Sequence, residues 1–322
     1  MKNTPFSVRP NDGVCSTHTA QAGLDVLLGD EFGPLKLPKF YERLAKELGR
    51  DFPNIRFVAH YLPLFHDGAR HKVLRQQSAV YLKSRAEAIA EFEQKAADLF
   101  DEKLGRTGQV EIIADIIDPV IEMAAEAITG LPFSPEVVCV FTTNNSLKMM
   151  RKIDSEFAAL RKLAWALFPD DSAETHGIRV AFSTLGLVPL GASLAASFAK
   201  LLSNSAETRI CALNWGTQFP ATGVAIVGRE CAQGPVDLGT EAHSVRICEV
   251  DMRHFLEEGG QPNHIFGVGS HACLGRSSAL SLWSRIGAKM AQNPLGIRLI
   301  SIAAPTHKIL DYPSAISVEV LP

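Results

Sequence analysis

The chain has 322 residues, a formal net charge of −3 and only 21% charged residues. That length can bury a sizeable core as one large domain or two ordinary ones, and so nearly neutral a balance excludes a nucleic-acid-binding surface or a disordered charged tail. Six cysteines, at 15, 139, 211, 231, 248 and 273, lack the spacing of a disulfide framework, and the polar opening MKNTPFSVRPNDG contains no secretory apolar core. A cytoplasmic setting without membrane attachment is therefore expected.

Taken in chain order, the first thirty residues read as irregular. Leu37, Phe40, Leu44 and Leu48 then fall on one helical face that ends near Gly49. A second helical run follows His66 through Arg70, Val73 and Leu74 to about Tyr81, and a third, Arg85 to Leu104, spaces Ile89, Phe92, Ala96, Leu99 and Phe100 at helical period. Ile112 to Ile128 reads as a mostly buried helix kinked by Pro119. Further helices are predicted over Glu136 to Met150 and Glu156 to Phe168. Val180 to Leu202 carries no charge except Lys200. Its Ser183, Thr184, Gly186, Pro189, Gly191, Ser193 and Ser197 weaken a membrane-insertion signal, so it is read as a buried central helix. Residues 216 to 250 change to glycine, proline and short β-branched runs (VAIVG, SVRIC) that suggest small strands. A last helix is predicted from about Leu274 to Met290, with Leu280, Trp283 and Ile286 inward, followed by short strands from Ile297. The fold class is mainly α with small β-sheets, and no linker divides residues 1–322, which are read as a single domain.

The most informative residues are Phe266 to Gly275, FGVGSHACLG. Glycines at this density let the backbone turn tightly and approach a flat ligand without a Cβ in the way. A cysteine at the start of an apolar helix has its thiolate stabilised by unpaired N–H groups and the positive helix end. Gly267, Gly269 and Ala272 also fit a dinucleotide-binding fingerprint, but that needs a buried strand before it and an acid about 20 residues after it. The stretch EEGGQPNHI is polar and proline-broken, and no acid lies between Glu258 and Asp311, so this reading is rejected. His271 and Cys273 have no second close pair with structural-zinc spacing. The plain alternative is an ordinary turn with a free cysteine.

At these residues the chain resembles the cytochrome P450 superfamily, whose haem-ligand signature reads F-x-x-G-x-H/R-x-C-x-G-x-x-L/I-A. Phe266, Gly269, His271, Cys273, Gly275 and Ala279 match, and Ser278 replaces the usual Leu or Ile. The resemblance implies a compact cytochrome P450-like fold of the soluble bacterial type, binding haem b with Cys273 as the thiolate ligand to iron. A thiolate pushes electron density toward the iron and favours O–O cleavage. Phe266 and Gly267 would pack near the sulfur, with Gly275 closing the turn. By the same resemblance, His66 and Arg70 supply the family's H-x-x-x-R pair for a haem propionate, on one helix face at i and i+4, and His271 a donor to the other propionate. The segment Trp215 to Leu238 resembles the family's W-x-T-P-V stretch, with Val224 where the family has a propionate arginine and Arg229 as a loose substitute.

Departures from the family pattern are as informative. Cys211 and Asn214 occupy the E-x-x-R positions, and no arginine stands about ten residues before Phe266, in LEEGGQPNH. The distal acid–alcohol pair is replaced by Ser193 and Leu194, with Gly191 matching the glycine. Ser193 and Ser197 are the groups left to handle protons above the iron. The resemblance implies a monooxygenase acting on a small hydrophobic molecule, with electrons from a ferredoxin or flavodoxin. A peroxide-dependent or non-oxidative haem-thiolate enzyme (peroxygenase, dehydratase or isomerase) is the alternative, and a non-catalytic family-like partner protein the third reading.

Overall fold

The computed structural model describes residues 6–9, 14–138, 146–203, 207–216, 219, 221, 223–224, 226–231, 247–252, 262–304, 310 and 312–322. They form two compact units, each built from two stretches of chain: residues 1–77 with 224–273, and residues 78–223 with 274–322.

The first unit carries a five-stranded sheet in the order β1-β2-β7-β6-β3. Its strands are β1 (Phe6–Arg9), β2 (Val14–Thr17), β3 (Phe32–Pro34), β6 (Ile226–Cys231) and β7 (Ile247–Asp251). The pairs are antiparallel except β2 with β7, which run parallel with Cys15 opposite Cys248. The β6–β7 pair is what VAIVG and SVRIC suggest. By contrast, the N-terminal region expected to be irregular holds two strands and a helix, α1 (Ala20–Leu28), whose N-cap Thr19 accepts from the Ala22 N–H. Strands of four residues give too short an alternation to be recognised in sequence. Cys15, Val26, Cys231, Cys248, Val250 and Met252 form this unit's sheet-side core, with Leu24, Leu27 and Phe32 packed on it.

Helix α2 (Leu37–Leu48) stops at Gly49, whose φ of +60° suits the residue without a Cβ. Its inward face differs from expectation. Pro38 and Tyr41 are buried, while Phe40 and Leu48 are exposed. Tyr41 takes the interior position, and its burial pushes the phenol up to about 12. Next come α3 (Pro53–Tyr61) and a short 3-10 turn, Pro63–Phe65, in the segment that the sequence leaves unassigned. Then α4 (Gly68–Ser84) buries Leu74 and exposes Val73.

The second unit contains a four-stranded sheet, β4-β9-β8-β5, formed by β4 (Gly108–Glu111), β5 (Glu207–Arg209), β8 (Gly296–Ala303) and β9 (Ala315–Leu321). Its helices are α5 (Ala86–Leu104), α6 (Asp118–Thr129), α7 (Pro135–Val138), α8 (Leu147–Leu167), α9 (Ala173–Leu185), α10 (Leu187–Ser203) and α11 (Arg276–Met290). Residues 112–129 are continuously helical, as expected: a π-helical turn, Ile112–Ile117, runs directly into α6 at Asp118, and Pro119 stands where the winding changes. The break expected between Met150 and Glu156 is absent, since α8 runs through it from Leu147 to Leu167; α7 covers only Pro135–Val138, and residues 139–145 lie outside the described part. The apolar run 180–202 is divided at Gly186 between α9 and α10. Residues 173–203 are long enough, and one 18-residue window within them apolar enough, to cross a membrane, yet 59% of that window is buried within the protein.

Aromatic rings run through this unit's core: Phe100 stacks on Phe198 at 5.5 Å, Phe198 meets Trp215 at 5.4 Å, and Trp283 lies 5.8 Å from Trp215 and 5.3 Å from Phe219. Helix α11 buries Leu282, Trp283, Ile286 and Met290. It is tied to α5 by buried Glu93, whose carboxylate accepts from Ser281 Oγ at 2.5 Å and Arg285 Nε at 3.3 Å, and by an ion pair between Lys289 and Asp98.

Candidate cofactor site

The loop that carries Cys273 is built as its glycines require. Gly267 and Gly269 have φ of +76° and +65°, the left-handed region that side chains rarely adopt. A 3-10 turn, Gly269–His271, follows, and the Cys273 N–H donates to the Phe266 carbonyl at 2.7 Å, closing the loop on itself. Cys273 is exposed at the end of this clamp. The next helix begins later than expected: Gly275 is its N-cap and Arg276 its first residue, so Cys273 precedes α11 by three positions.

Beside this loop lies a cluster of cationic and imidazole groups that no single stretch of sequence displays. His71, on α4, is 4% exposed, and its ring lies 4.2 Å from that of His271. The buried His71 Nε2 has no hydrogen-bond partner. Burial, then the charges of Arg75 and Arg229, hold the His71 imidazole below its usual range. His271 is pushed down to about 4, chiefly by burial, then by Arg229, His71 and Arg75. Arg229, on β6, is itself 5% exposed. Among the described residues, the one carboxylate acting on either ring is that of Asp67, which raises both. Buried positive charge with so little compensation favours an anionic ligand. Haem, with two propionates, fits this donor set and the exposed cysteine on the same unit.

Arg70 stands in the first turn of α4, whereas His66, expected on the same helix face, precedes the helix with an extended backbone, so the two do not form an i, i+4 helical pair. His66 Nε2 pairs with the His60 carbonyl at 2.9 Å, and burial lowers its pKa. Arg70 presents a buried Nε with no partner. The structure brings His71, rather than His66, against His271. His71 and Arg75 repeat the H-x-x-x-R spacing of His66 and Arg70, so the second pair was available in the sequence and was not singled out. Arg229, read there as a loose substitute, is near enough to act on both imidazoles.

The three residues expected above the iron belong to α10 in the second unit. A Cβ on Gly191 would meet Ile121 Cδ1 at 2.2 Å, so that glycine allows close packing of α10 on α6. Ser193 Oγ accepts from the Gly223 N–H at 3.2 Å, and buried Ser197 donates to the Ala221 carbonyl at 3.3 Å. Both hydroxyls thus hold the backbone of Ala221 and Gly223 against α10. The E-x-x-R positions lie in or next to a 3-10 turn, Ile210–Ala212, where the Cys211 N–H donates to the Asn293 carbonyl at 3.0 Å. The stretch 256–264, searched for an arginine, falls largely outside the described residues.

No protein-family profile and no curated protein matches the chain. Solved structures do. CalO2 aligns with a TM-score of 0.78 at 16% identity, covering 99% of this chain and 94% of its own. P450 RauA, solved with a biosynthetic intermediate of aurachin RE, aligns at 0.74 and 14% identity with the same coverage. P450BioI, solved with an acyl carrier protein ligated to hexadec-9Z-enoic acid, aligns at 0.69 and 13%, covering 95% of this chain and 92% of its own. At these identities the likeness speaks for architecture, and the architecture agrees with the mainly helical, small-sheet fold expected from the ligand-loop motif: the chain has the cytochrome P450 fold.

Proposed function

We propose that the chain binds haem b through the Cys273 thiolate and acts as a haem-thiolate oxidoreductase of the monooxygenase type on a small hydrophobic molecule. One observation carries this reading: an exposed cysteine on a left-handed glycine loop shares a unit with a buried, under-compensated cationic cluster. Thiolate-ligated haem supplies redox chemistry at oxygen when bound, and the protein supplies ligand, orientation and proton control. In this chain His71, Arg75, His271 and Arg229 form the propionate cradle, with Arg70 and His66 at its margin. Phe266 and Gly267 hold the sulfur through the backbone clamp. Electrons come from a ferredoxin or flavodoxin in a cytoplasmic setting.

A peroxide-dependent or non-oxidative reaction is the second reading, and the α10 serines favour it. Ser197 donates its hydroxyl proton to the Ala221 carbonyl, Ser193 Oγ is held in place by the Gly223 N–H, and Leu194 occupies the remaining relay position with no proton to give. A substrate that brings oxygen already reduced needs less of such a relay.

The first test is the ferrous carbon-monoxide difference spectrum of the purified protein. A red-shifted thiolate Soret band that is lost in Cys273→Ser supports the assignment. Absence of haem uptake, or an unchanged band in the variant, overturns it and leaves the partner-protein reading. Turnover with hydrogen peroxide, compared with turnover through a ferredoxin system, then separates the two enzymatic readings.

A further inference from the structure

The sheet-side core of the first unit contains a pair of sulfurs that the cofactor reading does not use. Cys15 on β2 and Cys248 on β7 are partners in a parallel register, both fully buried, and their sulfurs are 2.8 Å apart. Adjacent strands lie about 4.8 Å apart, inside the Cα separation that a disulfide spans, and the covalent bond needs about 2.05 Å between sulfurs. Register partners point to the same side of the sheet, so both sulfurs already face each other. We propose that Cys15 and Cys248 are a reversible redox modification site: a dithiol in reducing conditions and a disulfide on exposure to hydrogen peroxide.

The step balances with peroxide alone. One sulfur, as thiolate, attacks peroxide; the O–O bond breaks, a sulfenic acid forms and hydroxide leaves, taking a proton to become water. The second thiol then attacks the sulfenic sulfur, the S–S bond forms and a second water leaves. Two cysteines are oxidised by two electrons and one peroxide is reduced. The two sulfurs are hydrogen-bonded to each other, so whichever thiol ionises first is stabilised by its neighbour's S–H and acts as the nucleophile. Both sulfurs are fully buried, so the reaction requires a local opening of this core that admits peroxide. Cys231 belongs to the same cluster but to β6, where it stands opposite Phe32 in the register.

The bond would join residues 233 positions apart and fix β2, and through it α1, to the sheet. Leu28, the last residue of α1, is the nearest neighbour that a Cβ on Gly269 would meet, at 3.2 Å. The crosslink would therefore anchor an element that borders the Cys273 loop. This inference does not depend on haem binding.

The full chain should be treated with a few equivalents of hydrogen peroxide under native conditions, alkylated after unfolding, digested without reductant and analysed by mass spectrometry. The expected product is a Cys15–Cys248 linked peptide that dithiothreitol removes, with a melting temperature several degrees above that of the reduced protein. Cys15→Ala and Cys248→Ala should each abolish both the link and the shift. A variant that fails to fold leaves the wild-type peptide map as the deciding measurement. Separate alkylation of Cys15 and Cys248 after peroxide, or a dominant link through Cys231 or Cys273, would overturn the proposal.

Discussion

The imidazole rings of His71 and His271 lie 4.2 Å apart at an interplanar angle of 33°, although two hundred positions of chain separate them. Both are held below the ordinary histidine value of 6.5. In the cofactor-free protein the unfolded chain therefore binds protons more readily than the folded one as the pH drops below about 6.5. Stability contributed by the neutral rings is complete above that value and is lost as the pH falls through the folded pKa, about 4 for His271. We expect a loss of roughly 2 kcal/mol attributable to His271, after allowing for partial exposure of the ring. Denaturant midpoints followed by circular dichroism should show it, and His271→Gln should flatten the slope. Parallel curves for the two proteins would refute the coupling.

Haem retention distinguishes the two H-x-x-x-R pairs. His71→Ala and Arg229→Gln should each weaken haem binding about tenfold or more, the worth of a charge-assisted hydrogen bond. His66→Ala should change it little, since that ring is already engaged by the His60 carbonyl. Transfer of haem to a competing apoprotein gives the rates. An equal loss in His66→Ala would extend the cradle to the segment that precedes α4.

Gly223 tests the packing under the α10 serines. A Cβ there would meet the Ala192 carbonyl carbon at 2.3 Å and the Ala192 Cβ at 2.4 Å, both rigidly placed. Gly223→Ala should cost about 1–3 kcal/mol by overpacking, read as a lower urea midpoint. A stability equal to wild type would mean that α10 yields to the loop.

Glu93 is 5% exposed and joins α5 to α11 through Ser281 and Arg285. Glu93→Ala should destabilise by about 3 kcal/mol, because it removes a charged acceptor from a buried network. Glu93→Gln keeps a hydrogen-bond acceptor and should lose less. The order of the two melting temperatures checks this.

How much of this was legible in the sequence depends on how local each signal is. The Cys273 loop was readable because its geometry is set by residues within ten positions: two left-handed glycines and one backbone clamp. The α5 face was readable because Ile89, Phe92, Ala96 and Phe100 all turn inward at helical period. On α2 the same method put Phe40 and Leu48 inside, because an apolar count takes no notice of a tyrosine that buries its ring. The cationic cluster was hidden for another reason. Its members come from α4, β6 and the ligand loop, and H-x-x-x-R spacing alone does not choose between His66 and His71. Only the placement of His271 makes that choice.

All three tryptophans, Trp165, Trp215 and Trp283, belong to the second unit. Trp215 and Trp283 lie in its aromatic core, and Trp165 stacks on His176 at 4.0 Å. Indole emission thus reports on that unit, while Cys273, His71, His271 and the paired core sulfurs belong to the other. An emission-based melting curve would follow that one unit and leave loosening of the ligand loop without a signal of its own.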